Sequence, residues 1–88
     1  SEREAIKTAP ASPTQPAGNH IGEDKAKEKA LAHAKVTADK ATALRVELDR
    51  DDGRTVYEVE FRADGYEYEY EIDATTGDVL KYDRERED

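Results

Sequence analysis

A chain of 88 residues with 22 acidic against 14 basic side chains carries a net charge of −8, which argues against nucleic acid and anionic membrane surfaces as partners, both being polyanions. With 35% hydrophobic residues and no cysteine, it holds at most one domain, with a small core and no disulfide staple. Such a chain depends on regular, well-patterned elements, and its acidity favours basic proteins or cations as partners.

No apolar run approaches the ~18 residues of a membrane span. The chain has no methionine, so Ser1 reads as the start of a processed or excised piece, and the lack of a signal segment says nothing about export. The absence of cysteine fits oxidising and reducing compartments alike.

Residues 1–20 read as a flexible leader. The stretch TAPASPTQPAGN holds all three prolines amid Ala, Ser, Thr, Gln and Gly, and has almost nothing to bury. The preceding SEREAIK shares its charge texture with the terminal YDRERED, a hint of an earlier copy of the same module. The domain is expected over 21–84, with a charged tail over 85–88.

Ala26, Ala30, Leu31 and Ala34 recur at helical spacing through EDKAKEKALAHAK, with lysines opposite. Gly22 serves as N-cap, and Glu23 and Asp24 complement the positive end of the helix dipole. Ile21 and Ala26 take the hydrophobic-staple positions. Small alanines on the inner face let this helix lie close to a sheet. Thr37 opens a second short turn or helix over Ala38–Ala41.

Beyond Ala41 the period changes to two. Leu44, Val46 and Leu48 alternate with Arg45, Glu47 and Asp49; Tyr57, Val59 and Phe61 alternate with Glu58, Glu60 and Arg62. Tyr66, Tyr68, Tyr70 and Ile72 alternate with Glu67, Glu69, Glu71 and Asp73. Asp52-Gly53, Asp64-Gly65 and Thr75-Thr76-Gly77 separate the runs as hairpin turns. Two-residue loops at the Asp-Gly pairs set Leu48, Val46 and Leu44 opposite Tyr57, Val59 and Phe61, and set those three opposite Ile72, Tyr70 and Tyr68. Both turns place the apolar residues on one face, and a one-residue slip in either breaks that agreement. A three-residue loop at Thr75-Thr76-Gly77 pairs Ile72 with Leu80 and Tyr70 with Tyr82. The predicted fold class is α+β: an N-terminal helix and a short second helical turn on one face of a four-stranded antiparallel meander, in two layers.

On the outer face this register lines up Glu47, Glu58 and Glu71, with Lys81 beside Glu71. The next row holds Arg45, Glu60 and Glu69, and Arg62 faces Glu67. Glu47, Glu58, Glu60, Glu69 and Glu71 are therefore the candidate face for a basic protein partner. The alternatives are a solvated face that discourages sheet stacking and a weak calcium site.

The order IGEDKAKEKALAHAK, strand, YEVEF, DGYEYEYEIDATTGDVL resembles the PepSY domain family, which occurs in propeptides of thermolysin-like metallopeptidases and in a spore-germination protein. The resemblance covers residues 21–83, and its most specific piece runs from Tyr70 to Leu80, with Tyr57-Glu58-Val59 in the preceding strand. Gly22 departs from the Ser or Thr that often caps the family's helix. The resemblance implies a helix on an antiparallel sheet and an exported or cell-surface setting, often in tandem copies. It also implies a role in restraining peptidases outside the cytoplasm. Tyr57, Ile72, Asp73 and Gly77 match the family's signature and read as structural: Gly77 accepts positive φ and Asp73 bonds the turn backbone.

Catalysis finds no parts. The only histidines are His20, at the end of the leader, and His33, on the helix flank, where a partly buried packing role is expected. Ser1 and Ser12 lie in the leader with no base held near them. The stretch Asp49-Arg50-Asp51-Asp52-Gly53 has its glycine one position early for a calcium loop and reads as a hairpin turn. Glu58 and Glu71 on an open face lack the cleft that tunes a glycosidase pair. The tyrosines are expected mostly in the core, with Tyr66 and Tyr82 near the sheet ends free to anchor an interface. These residues offer no catalytic, cofactor or metal set, and the PepSY resemblance implies an exported setting, so the expectation is a non-enzymatic extracytoplasmic binding module without cofactor or metal. Its partner is expected to be a protein, a peptidase being the class that the resemblance implies, and membrane contact would need a segment outside this chain. The alternative is a tandem spacer of a cell-surface protein.

Overall fold

The computed structural model describes residues 19–87. The linker expected over residues 8–19 therefore lies almost entirely outside the described residues, as do Ser1 and Ser12.

The expected helix, α1, spans Glu23–Ala34, with Gly22 as N-cap at φ 95° and Glu23 and Asp24 in its first turn. Ala26 and Ala30 are fully buried and Leu31 nearly so, which lets the helix backbone sit close over the strands. Lys35 ends it at φ 61°, where the Val36 N–H bonds the Leu31 carbonyl at 3.0 Å and the Lys35 N–H bonds that of Ala32 at 3.2 Å. Those two bonds satisfy carbonyls that the last turn leaves open, and buried Val36 completes the stop. Thr37 caps a 3-10 turn over Ala38–Lys40, as expected. None of that turn's residues is buried, so α1 alone provides the helical cover.

Four strands follow: β1 Thr42–Asp51, β2 Arg54–Ala63, β3 Tyr66–Asp73 and β4 Val79–Arg86. They form one antiparallel sheet in the order β1-β2-β3-β4, so the fold is the α+β meander expected, with β1 and β4 at the edges. Both Asp-Gly loops place both residues at positive φ, the conformation that matches the twist of paired strands. The β2–β3 register is as expected throughout, including Phe61 opposite Tyr68 and Tyr57 opposite Ile72.

Two expected pairs are corrected. Leu48 and Val46 face Tyr57 and Val59, but the register shifts between Thr42 and Arg45, so Leu44 does not face Phe61. Ala43, at φ 54°, bends the strand there. Likewise Tyr70 faces Tyr82, yet Ile72 faces Val79 rather than Leu80. The cause lies in the turn. Asp73 N–H bonds the Asp78 carbonyl and Gly77 N–H bonds the Asp73 carbonyl, both at 2.8 Å, closing a loop that includes Ala74. Ala74 is fully buried, its N–H on the Thr55 carbonyl at 3.0 Å and its own carbonyl accepting the Ile21 N–H at 2.7 Å. That anchoring makes the loop one residue longer than Thr75-Thr76-Gly77, and Leu80 becomes the extra residue of a bulge. At its other end β4 continues through Arg86, and Glu87 N–H reaches the Gly65 carbonyl at 2.8 Å, so the strand runs into the stretch assigned to the tail.

The core joins α1 to β2 and β3, with Tyr57, Val59, Phe61, Tyr70 and Ile72 at its centre. Val56, at an outward register position opposite Asp49 and Asp73, is fully buried as well. The 12-residue helix is about 18 Å long and leaves β1 largely uncovered. Leu48 is accordingly 49% exposed and Leu44 37%.

Candidate functional site: the acidic face of the sheet

Side chains alternate across a strand, so the register that buries the apolar row commits the glutamates to the opposite face. Glu47 faces Glu58, Glu58 faces Glu71, and Glu71 faces Lys81. Arg45 faces Glu60, Glu60 faces Glu69, and Glu69 faces Asp83. The structure thus brings all five candidate glutamates together. A shallow depression of about 370 Å³ lies among Glu58, Glu60, Glu69, Glu71, Lys81 and Asp83, with Tyr70 and Tyr82 also lining it.

Cations offset this charge unevenly. Arg45 donates to Glu60 at 3.3 Å and to Glu47 at 3.2 Å. Lys81, beside Glu71 in register, places its ammonium 3.0 Å from Asp51. Arg62 faces Glu67 but pairs with Glu87 at 2.7 Å, a partner the strand pattern did not reveal. Among the described residues, no ion pair neutralises Glu58 or Glu69. Burial pushes the Glu58 carboxyl above its usual range, helped by Asp49, Glu47 and Glu60. Burial also raises Glu69, with Glu60, Glu67 and Asp83 adding to it. Glu71 is raised by burial and by Asp51, with Lys81 opposing. Asp51 itself is held low by its bond to Lys81. On this face burial first, and neighbouring carboxylates second, disfavour the charged forms of Glu58, Glu69 and Glu71.

The signature residues occupy structural positions. Asp73 accepts the Thr76 N–H at 3.0 Å and the Thr75 N–H at 2.8 Å, which together hold its carboxyl below the usual range. Arg54 adds a bond at 3.0 Å that the sequence reading missed. Gly77 sits at φ +83°, a conformation that favours glycine, while the nearest neighbour of an added Cβ, the Lys29 Cε at 3.1 Å, is the end of a flexible side chain. Tyr57 and Ile72 are buried.

The remaining candidates stand apart from one another among the described residues. Asp49 accepts the N–H of Arg50 at 2.8 Å while Asp51 holds Lys81, so that turn's carboxylates are engaged separately. No three His, Asp or Glu side chains converge as metal ligands among the described residues. His33 is more exposed than expected, although its ring takes the packing role expected of it. Its Nδ1 lies 2.9 Å from the Tyr70 hydroxyl, and its ring packs on Tyr82 at 4.7 Å. His20 is half-buried, edge-on to Tyr57 at 6.4 Å. Tyr68 and Tyr70 are buried, whereas Tyr82 is 61% exposed. No helix among the described residues is long and apolar enough to cross a membrane.

Comparison with known proteins places the chain among relatives. An uncharacterized protein of Streptococcus pyogenes serotype M6, Spy1430, is 48% identical over 61 residues, covering 69% of this chain and 47% of the relative. The chain thus spans about half the length of that relative. No solved structure matches the chain. The model of the peptidase propeptide and YPEB domain, PepSY, matches residues 21–83, from the entrance of α1 into β4. That match covers well over half of the sequence, and the chain belongs to the PepSY domain family.

Proposed function

We propose that this domain is a non-catalytic protein-binding module acting outside the cytoplasm, which docks the acidic face of its sheet on a basic surface of a peptidase and restrains it. The family's tie to peptidase propeptides and its usual setting in extracellular or envelope proteins support the partner class and the location. The observation that carries the docking face is the pair of glutamate rows whose central members, Glu58 and Glu69, have no cationic partner among the described residues and bind protons more tightly than free glutamate. A lysine- or arginine-rich patch would exchange that repulsion for attraction. The free domain is destabilised and the complex stabilised by the same charges, and such a field also steers encounter.

The test is titration of the intact chain into a thermolysin-like metallopeptidase acting on a small reporter peptide, with mass spectrometry to show that the domain is not consumed. Saturable inhibition without cleavage is expected. Absence of inhibition at high micromolar concentration would remove such a peptidase as partner and leave the spacer role, for which the extra length of the streptococcal relative leaves room.

A further inference from the structure

On the helix side of the sheet the sign of the charge reverses. Along β4, Lys81, Asp83 and Glu85 face the acidic rows, while Tyr82, Arg84 and Arg86 stand opposite Tyr70, Tyr68 and Tyr66 on the other face. All three of these β4 residues are exposed. There His33, Tyr68, Tyr70, Tyr82 and Arg84 line a groove of about 330 Å³. Its walls are fixed before any ligand arrives. Tyr82 stacks on Tyr70 at 5.6 Å, and His33 packs on Tyr82 while its Nδ1 meets the Tyr70 hydroxyl.

The cations of the sheet are engaged differently. Arg45, Arg54, Arg62 and Lys81, on the acidic side, each hold a carboxylate within 3.3 Å, and Arg50 donates to the Gly53 carbonyl at 3.3 Å. Arg84 instead lies over the Tyr66 ring, 4.4 Å from its centroid, and among the described residues it forms no ion pair. Arg86 lies 5.9 Å from the same ring. In a chain of net charge −8, an exposed arginine held on an aromatic face beside a groove is a site with a defined complement. We propose that this groove is a second binding site, opposite in sign to the acidic face, for an acidic peptide segment. A carboxylate side chain pairs with the fork of Arg84, and a neighbouring apolar or aromatic side chain lies against Tyr68 and Tyr82. The chain's overall charge repels such a ligand, so binding depends on this local geometry. The site uses none of the glutamates assigned to the acidic-face docking, although Tyr70 and Tyr82 line both depressions, and either reading can fail alone.

The test is a titration of the isotope-labelled full chain, followed by amide and side-chain NMR shifts, with the acetylated and amidated peptide Glu-Phe-Glu-Leu. Its Gln-Phe-Gln-Leu and Lys-Phe-Lys-Leu analogues serve as controls. The glutamate peptide is expected to give saturable shifts centred on His33, Tyr68, Tyr82 and Arg84. Affinity should fall about tenfold or more for the glutamine peptide, and likewise for the Arg84→Gln chain, the loss of one charge-assisted bond. Both Arg84 and Tyr82 are exposed, so Arg84→Gln and Tyr82→Ala leave the strand amide pattern in place, which the same spectra verify. The proposal is overturned if the glutamate peptide gives no saturable shift, if the three peptides bind equally, or if Arg84→Gln binds as wild type does.

Discussion

Removing two glutamates from the acidic face should make the domain more stable. Glu58 has Glu47 on one side and Glu71 on the other, and Glu69 stands between Glu60 and Asp83. Like charges directly opposite cost about 0.2–1 kcal/mol per pair, and solvent screening at this open face argues for the lower end. Taking ~0.3 kcal/mol for each of the contacts of Glu58 and Glu69, the Glu58→Gln, Glu69→Gln double variant gains ~1 kcal/mol. In a domain of this size that gain raises Tm by about 4–8 °C. Circular-dichroism melts of wild type, both single variants and the double variant, at low salt and at about 0.5 M NaCl, read it out; the gain should shrink by about half or more in salt. Glu60→Gln is the internal control, because it removes one repulsion together with the Arg45 bond and should gain less. A double variant that melts at or below wild type at low salt, or whose gain is indifferent to salt, would refute the reasoning.

The same charges set the pH profile. Glu58, Glu69 and Glu71 titrate above the ordinary 4.5, so the folded chain holds more protons than the unfolded one there, and stability falls as pH rises through that window. Asp51 and Asp73 titrate below 3.8, so their contribution is present above that value and lost as pH falls through their folded values. Tm measured from about pH 3 to about pH 8 should therefore peak in mild acid, with a shallower neutral-side decline in the double variant; a steady rise to neutrality would contradict this. Asp73→Ala leaves the N–H groups of Thr75 and Thr76 without their acceptor and should cost about 1–3 kcal/mol in urea unfolding at neutral pH, with Asp73→Asn costing less. Tyr57 is 1% exposed, and its hydroxyl is buried near the Gly22 backbone without meeting hydrogen-bond geometry. Tyr57→Phe should change stability by under ~0.5 kcal/mol or raise it, while Tyr57→Ala costs about 3–5 kcal/mol; a Phe variant losing more than ~1.5 kcal/mol would show that the hydroxyl is bonded.

Much of the fold was legible because two Asp-Gly turns, each requiring positive φ, independently dictate the same apolar face. Period-two alternation then carries the glutamate rows with it, which is why the alignment of Glu47, Glu58 and Glu71 is legible in the sequence. What escaped the pattern is set by tertiary contacts. The Leu80 bulge follows from Ala74 being tied to Thr55 and Ile21, and no local signal announces that anchoring. The exposure of Leu44 and Leu48 depends on where α1 lies across the sheet, which helical spacing alone does not define. The aromatic groove was hidden for a related reason. Tyr82 stands out in the sequence as an interface anchor, but Arg86 falls in the charged tail expected over 85–88, and the pairing of β4 along β3 as far as Tyr66 is what sets Arg84 and Arg86 beside the tyrosines.

The central claim, that the acidic sheet face is the docking surface, is tested most directly by one comparison. The wild-type chain and its Glu58, Glu60, Glu69, Glu71→Gln variant are titrated side by side against a thermolysin-like metallopeptidase at low ionic strength. The account predicts saturable inhibition by the wild type and a loss of about tenfold or more in the variant, even though the variant melts no lower. Equal inhibition by the two chains would contradict it and place the contact elsewhere on the domain.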